Sequence, residues 1–375
     1  MKYEVVIYAG EHNRFMCPVT ITLPYKNKYE DFRGVILSSK EGEQLAQVER
    51  EKERIHITFI IEKMKRGEKK EFKLKFLKDV SEEIGMRLER YDEQIGISYK
   101  GNGLARYNFS RELSKPYIYP LIGPTGACVT DDGPKDHVHH RSLWVAHGDV
   151  NGVDVWAEKE NSGRIIHNEF LKLTAGPIYA EIIAKNVWVD NEGKPLLDEV
   201  RRVRFWKPTN IGWYLDHETL LKATYGDVIL GDTKEAGMVS VRMREALTVR
   251  RGGRIVNSFG GINEKETWGK RAHWCDYYGT LEGEIVGIAI FDSQENPRHP
   301  TYWHVRDYGL MTANIFGLTQ FHKIKGRRGN LKLAKGSIVK FTYRLFIHRG
   351  STDEADVRGR YLDFIYPPEV RVKAR

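Results

Sequence analysis

The chain has 375 residues, a hydrophobic content of 41%, a charged content of 30% and a formal net charge of +9. This length can bury a large core, and the composition is typical of a soluble globular protein. The longest apolar run, residues 285–291, is far shorter than the ~20 residues that a membrane helix needs. An acid at position 4 comes too early for a secretory signal, so we expect a cytoplasmic protein without a membrane span.

The cysteines and the basic charge point to no specialised class of protein. Cys17, Cys128 and Cys275 share no CxxC spacing, which argues against a disulfide framework or a zinc–thiolate site. The densest basic run, residues 323–329, could attract nucleic acid. Because no helix-turn-helix, zinc-finger or RNP-type pattern accompanies it, we favour a solvated surface of mixed charge over a nucleic-acid site.

The first part of the chain consists of short segments in which apolar and polar residues alternate. Phe72, Leu74 and Phe76, for example, alternate with lysines, as in a strand with one buried face. The pattern predicts a small β-domain over residues 1–82, with its boundary in the polar stretch 79–85. The alternating segments are residues 3–8, 19–23, 55–61 and 72–76.

The larger part, residues 83–375, continues with strand patterns separated by turn signals. Residues 95–99 and 104–109 flank a Gly-Asn-Gly turn, which is typical of a hairpin. One helix is predicted near the C-terminus, where Ser351 and Glu354 have capping-box spacing ahead of a helical apolar pattern. The fold prediction is therefore all-β, with a large antiparallel sandwich following the small domain.

A first polar cluster lies between residues 131 and 149, where four histidines occur within eleven residues among acids, an arginine and a tryptophan. Imidazole titrates near neutral pH, so histidines beside carboxylates suit proton transfer or metal binding. A structural strand would have Val, Ile or Thr at such positions. We therefore expect His140→Ala and Arg141→Ala to abolish activity or binding with little change in stability.

A second polar cluster, residues 296–309, combines histidines, arginines and aromatic residues. Segments 231–237 and 268–276, which lie between the two clusters, add acids and tryptophans. Aromatic rings stack on the apolar faces of a sugar, while its hydroxyl groups need fixed donors and acceptors. This combination of residue types favours a carbohydrate as the partner.

Several of these motifs resemble the methane-oxygenase-PmoA-like family, a soluble family of unknown function. The resemblance covers about residues 85–350 and implies a β-supersandwich related to the galactose-mutarotase-like fold; it implies no particular reaction. The motifs that carry it are residues 106–110, 123–126, 136–144, 147–152, 231–235 and 296–309.

The predicted function is an enzyme that acts on a sugar or an oxidised sugar by proton transfer, of the epimerase, mutarotase, lyase or hydrolase type. His140 or His304 would donate or accept the proton, with Glu235 as the partner carboxylate. The alternative is a carbohydrate-binding protein without catalysis. The residues predicted to bind the substrate are His139, Arg141, Trp144, His147, Asp232, Trp274, Trp303 and Arg306.

Structural roles compete with these assignments. Asp232 could cap a turn with Glu235 on the surface, and the tryptophans could pack in the core. His137, His139 and His147 are the first candidates for a metal site, but they lack a recognisable ligand spacing. We therefore predict that the protein needs no metal or other cofactor.

Overall fold

The computed structural model describes residues 3–24, 32, 34–78, 85–326 and 328–374. About 55% of the chain is strand and 7% is helix, which confirms the predicted all-β class. The strands form a seven-stranded sheet, two eight-stranded sheets and a two-stranded ribbon. Neighbouring strands are antiparallel, as the hairpin signals predict, in pairs such as that of residues 86–90 with residues 95–99.

The first sheet is built from the N-terminal strands and the last strand of the chain. Its strands are β1 (Tyr3–Tyr8), β2 (Arg14–Pro24), β3 (Gly34–Ser39), β4 (Gly42–Glu51), β5 (Arg54–Met64), β6 (Lys69–Leu77) and β25 (Glu369–Ala374). Their order is β2-β5-β4-β3-β6-β1-β25, with Val5 opposite Val372. Alternate residues such as Val5 and Ile7 are buried in a core that belongs to this sheet.

The pairing of β25 with β1 brings the end of the chain back to the sheet formed by its beginning. The sequence pattern instead predicts residues 369–374 to be part of the large domain, because nothing in a six-residue strand indicates a partner so distant in the sequence. The predicted boundary between residues 82 and 83 lies outside the described residues, and the division into two domains stays a prediction.

The second and third sheets make the sandwich. The second has the order β21-β22-β17-β11-β10-β9-β8-β7, and the third has the order β12-β13-β14-β15-β24-β20-β19-β18. The strands of the second sheet are β7 (Met86–Arg90), β8 (Gln94–Tyr99), β9 (Asn102–Asn108), β10 (Tyr117–Leu121), β11 (Leu143–His147), β17 (Ala236–Arg242), β21 (Trp303–Val305) and β22 (Leu310–Ala313). Those of the third sheet are β12 (Arg164–Ala175), β13 (Tyr179–Val189), β14 (Pro195–Trp206), β15 (Gly212–Lys222), β18 (Arg254–Asn257), β19 (Trp274–Leu281), β20 (Glu284–Asp292) and β24 (Ile338–Arg349). The two-stranded ribbon consists of β16 (Val228–Leu230) and β23 (Leu331–Leu333).

The main core lies between the second and third sheets. Leu143 and Val145 of β11 belong to the same buried cluster as Leu215 of β15 and Leu345 of β24. Because side chains alternate along a strand, the residues between these core positions lie on the opposite face of each sheet. We call the face of the second sheet that points away from this core the outer face.

The third sheet also packs against the first sheet and a helix. Met16 and Ile60 of the first sheet share an apolar cluster with Tyr179, Trp206 and Tyr361. The first sheet and the sandwich are therefore joined by a buried apolar interface.

Three helices occur among the described residues, of which the sequence predicts one. They are α1 (Asn263–Thr267), α2 (Leu318–His322) and α3 (Val357–Ile365). The predicted capping box does form between Ser351 and Glu354, but α3 begins after Asp356, whose carboxylate accepts a hydrogen bond from Gly359 N. No helix within the described ranges is long and apolar enough to span a membrane.

Candidate functional site

A row of four paired residues crosses the outer face of the second sheet. Trp144 of β11 pairs with Ser240 of β17. Thr312 of β22 pairs with Ser240 on one side and with His304 of β21 on the other. Directly paired residues of neighbouring strands share a face, and three strand spacings of about 4.8 Å separate the two ends of the row by about 14 Å. The two polar clusters of the sequence therefore meet on one surface.

Next to this row, four aromatic rings form a continuous stack. The ring of His140 lies 5.4 Å from that of Trp144 and 4.5 Å from that of His137. His137 in turn stacks on Tyr308 at 4.7 Å with an interplanar angle of 13°. Tyr308 belongs to the second cluster of the sequence but was not among the predicted site residues. The stack joins the loop that precedes β11 to the loop that follows β21.

Arg242, at the end of β17, holds this loop in place. Its guanidinium group donates to both carboxylate oxygens of Asp136 at 2.7 and 2.8 Å and lies 3.3 Å from Nδ1 of His140. Partial burial, the largest single cause, would raise the pKa of Asp136, but the hydrogen bonds and charge interactions with Arg242 and His137 together outweigh it and the pKa is lowered. Arg242 was not among the predicted site residues. A single charged residue at the end of the otherwise uncharged strand Ala236–Arg242 was a signal that could have indicated it.

Both predicted proton-transfer histidines are almost completely buried, with exposed fractions of 1%. Burial, the largest cause, lowers the pKa of His140 and the pKa of His304, and both rings are therefore neutral at pH 7. Nδ1 of His140 faces a guanidinium donor, and Nδ1 of His304 accepts the indole N–H of Trp268 at 2.8 Å. Each neutral ring thus carries its proton on Nε2 and is a hydrogen-bond donor there.

Of the three predicted tryptophans, only Trp144 lies with the other candidate residues. Trp144 lies on the outer face, but Trp303 is buried in the sandwich core, where its Nε1 donates to the carbonyl oxygen of Ala272. Trp274 belongs to the apolar cluster between the third sheet and α3. In the segment 268–276 it is instead Trp268 that contacts the site.

Trp144, which is part of the ring stack, and Trp156, which lies beside it, each carry a buried indole N–H group. Trp156 is packed against Trp144 at 5.4 Å and against His140 at 6.0 Å. Among the described residues, neither buried indole N–H has a hydrogen-bond acceptor. Since buried donors are normally paired, these two N–H groups are exceptions in the packing around His140.

Arg141 is engaged by other protein side chains. Its guanidinium group donates to both oxygens of Glu158, at 3.0 and 2.5 Å, and to Asp132 at 3.1 Å. Lys115, which is 1% exposed, donates to the same carboxylate of Glu158 at 2.8 Å. The N–H groups of Arg141, which were predicted to hold the substrate, are thus used within the protein. Arg141 fixes the loop in front of β11.

Asp232 and Glu235, which are close in sequence, have separate roles. Asp232 accepts hydrogen bonds from Thr319 and from Gly329 N, so its role is structural, but it anchors distant loops and does not cap its own turn as the structural alternative proposed. Glu235 is half exposed and forms a close ion pair with Lys234. Burial, the largest cause, lowers the pKa of His139, and the negative charge of Glu235 acts against this shift. Glu235 therefore lies close enough to His139 to act on it electrostatically.

Arg306 lies at the rim of the same surface. Its Nε is 3.0 Å from a carboxylate oxygen of Glu264 in α1, and its guanidinium carbon is 5.6 Å from the centre of the Tyr308 ring. Backbone N–H groups of Glu264 and Asp307 donate to each other's carboxylates at 2.9 Å. Sequence reasoning missed this role of α1, because its five residues show no clear helical pattern.

His147 is separated from the other histidines of its cluster. Its ring lies 4.5 Å from that of Phe316, a member of the sandwich core, whereas His137 and His139 lie beside the outer face. Within the described part of the chain, no three His, Cys, Asp or Glu side chains are grouped so that they could hold a metal ion. The prediction that no cofactor is needed stays a prediction.

A family model matches residues 94–361, and its description is "Family of unknown function (DUF6807)". The chain belongs to the DUF6807 family. This match does not show the resemblance to the PmoA-like family. A search of curated proteins found no match.

Solved structures with similar arrangements include three proteins of low sequence identity. A protein in glycosyl hydrolase family 38 from Enterococcus faecalis is 11% identical, with a TM-score of 0.45, over 100% of this chain and 48% of that one. An alpha-mannosidase from Enterococcus faecalis V583 is 11% identical, with a TM-score of 0.40, over 100% and 46%. A galactose mutarotase related enzyme from Lactobacillus acidophilus is 8% identical, with a TM-score of 0.30, over 70% and 97%. The chain spans about half the length of the first two.

Proposed function

We propose that the outer face of the second sheet binds a sugar or an oxidised sugar and catalyses proton transfer on it. One observation carries the proposal. His140 and His304, from segments far apart in the sequence, are both held on this face as neutral rings with the proton on Nε2. A neutral imidazole N–H can donate a hydrogen bond to a sugar oxygen, or to an oxyanion that forms there, without the cost of burying a charge.

The surrounding side chains supply the other groups that the reaction needs. Glu235 is half exposed and can accept a proton, and His139 is a second, half-buried candidate whose pKa is lowered mainly by burial. Arg306 and Lys234, both partly exposed, can hold hydroxyl groups or a carboxylate of the sugar. The finer features of this proposal, which are the reaction type, the cytoplasmic location and the likeness to the PmoA-like family, rest on sequence alone.

A carbohydrate-binding protein without catalysis is the second candidate. The observation in its favour is that the Nδ1 atoms of His140 and His304 are both engaged with other protein groups. Such rings are well suited to fixed hydrogen bonding, and proton transfer requires in addition a base within reach of the same substrate atom.

The two candidates are separated by measuring binding and turnover on one set of ligands. The protein is mixed with neutral monosaccharides and uronic acids in D2O, and NMR follows anomer exchange, carbon-bound proton exchange and bond cleavage. Calorimetry measures binding of the same compounds. Turnover that His304→Gln reduces by about a hundredfold or more supports the enzyme. Binding without turnover favours the second candidate, and neither binding nor turnover contradicts both. His56→Gln, in the first sheet, is the matched control.

A further inference from the structure

A buried carboxylate and two histidines form a chain of hydrogen bonds away from the outer face. Asp292, at the end of β20, is 0% exposed, and its Oδ2 lies 2.7 Å from Nδ1 of His299. Nε2 of His299 lies 3.1 Å from Nδ1 of His273, which directly precedes β19. The ring of His273 is half-buried. β19 and β20 belong to the third sheet, whereas the proposed sugar site lies on the outer face of the second sheet.

The carboxylate determines the direction of the hydrogen bonds. The Asp292 carboxylate can only accept, so Nδ1 of neutral His299 carries the proton and its Nε2 is an acceptor. That Nε2 then accepts the Nδ1–H of His273. Nε2 of His273 is left with a lone pair, and within the described residues no group donates a hydrogen bond to it. The result is an unprotonated nitrogen with a free lone pair at the end of a carboxylate–imidazole–imidazole relay.

The relay is held by many contacts to the segment that carries His299. Arg271 donates to the carbonyl oxygens of residues 298, 299 and 300 at 2.8 to 3.0 Å. Asp292 also accepts from Asn296 Nδ2 at 2.7 Å and from Thr301 N at 2.8 Å. These contacts are sufficient to hold the segment that carries His299. The His273 ring is therefore not needed to anchor that segment.

An aromatic surface lies beside the imidazole ring of His273. The ring of Phe259 is 5.4 Å from that of His273, and Phe259 is 66% exposed. Tyr361 of α3 packs on the same imidazole at 5.8 Å. An exposed phenylalanine next to a hydrogen-bond acceptor suits a ligand that has an apolar face and a hydroxyl group.

We propose that His273 is the reactive group of a second acid–base site, which takes a small molecule with a hydroxyl group on a ring. The ring of the ligand packs on Phe259, and its hydroxyl proton moves to Nε2 of His273. The Nδ1 proton of His273 moves to Nε2 of His299, which becomes an imidazolium ion beside the carboxylate of Asp292. The O–H bond of the ligand breaks as the Nε2–H bond of His273 forms, and the Nδ1–H bond of His273 breaks as the Nε2–H bond of His299 forms. The ligand leaves or reacts as the oxyanion.

Diethyl pyrocarbonate tests the site in the intact protein, because it acylates an accessible imidazole nitrogen that carries no proton. We expect it to modify His273 about tenfold or more faster than the partly exposed His56 and the exposed His322, with rates read from each peptide by mass spectrometry. Asp292→Asn and His299→Gln should bring His273 down to the control rate. Phenol, as the probe ligand, should slow modification of His273 and leave His56 unaffected.

Imidazole ¹⁵N NMR of the unmodified protein provides a second measurement that needs no variant to fold. It should show His273 protonated on Nδ1 and bare on Nε2. A proton on Nε2, a modification rate equal to the controls, unchanged rates in both relay variants or no protection by phenol would each overturn the proposal.

Discussion

The indole N–H of Trp268 donates to Nδ1 of His304 at 2.8 Å and so determines which nitrogen of that buried ring carries the proton. Trp268 is half-buried and directly follows α1, whereas His304 lies in the middle of β21. Trp268 therefore acts as a positioning residue, because its effect on a bound sugar passes through the ring of His304.

Trp268→Phe removes this hydrogen bond and keeps most of the aromatic packing. The His304 ring should then lose its preference for the Nε2–H form, and binding or turnover of the sugar should fall by about tenfold. Imidazole ¹⁵N NMR reports the protonated nitrogen, and the NMR assay with sugars reports turnover. Trp206→Phe, which also removes an indole hydrogen bond (to Asp216, 2.9 Å), is the control and should leave both readouts unchanged. A ring of His304 that stays in the Nε2–H form in Trp268→Phe contradicts this assignment.

Arg141→Ala should destabilise the protein, contrary to the expectation from sequence. The variant leaves the carboxylates of Asp132 and Glu158 without their main cationic partner, at a cost of about 2 kcal/mol in the free energy of unfolding. Urea denaturation measures the change. Arg66→Ala, which removes an exposed ion pair with Glu11, should have little effect. Equal stability of the Arg141 variant and the wild type would return Arg141 to the list of substrate-binding candidates.

His217 should make the folded state sensitive to acid. It is buried in the sandwich, and burial, the largest cause, lowers its pKa to about 3. Between its unfolded pKa of about 6.5 and this folded value, only the unfolded chain binds the proton, so stability is lost as the pH falls. The contribution is up to about 1.4 kcal/mol per pH unit.

Urea denaturation of His217→Gln between pH 7 and pH 4 tests this sign. The variant should lose stability less steeply than the wild type as the pH falls. Thr219→Val, on the same buried face of β15, is the control, and it should alter stability while keeping the wild-type slope. A wild-type slope in His217→Gln would show that other groups account for the acid sensitivity.

Removal of residues 1–84 should cause the remaining protein to self-associate. The sequence predicts a separate domain over residues 1–82, but Met16 and Ile60 cover Tyr179 and Trp206 of the third sheet. Loss of the first sheet exposes this apolar surface, which favours aggregation. Light scattering measures the association, and circular dichroism measures the β content. A monomeric truncated protein with a β-type spectrum would instead support the division into two domains.

Local sequence patterns were sufficient for the class of fold and for part of the site. Alternation such as that of Phe72, Leu74 and Phe76 is a property of the strand itself, and it predicted strands with one buried face. The clustering of His137, His139 and His140 with charged neighbours marked the loop that lies on the outer face. The fold prediction was confirmed because it depends on residues that are close together in the chain, and the role of the loop as a site stays a prediction.

The tertiary structure decided which of the marked residues belong together. Alternation shows that a strand has two faces, but the pairing of distant strands decides which face meets the core. That pairing put Trp303 in the core and its neighbour His304 on the outer face, and it brought β25 beside β1. It also supplied Arg242 and Trp268, whose contacts with His140 and His304 join residues 102 and 36 positions apart. No local pattern contains those contacts, because they form only when the distant strands of the second sheet have paired.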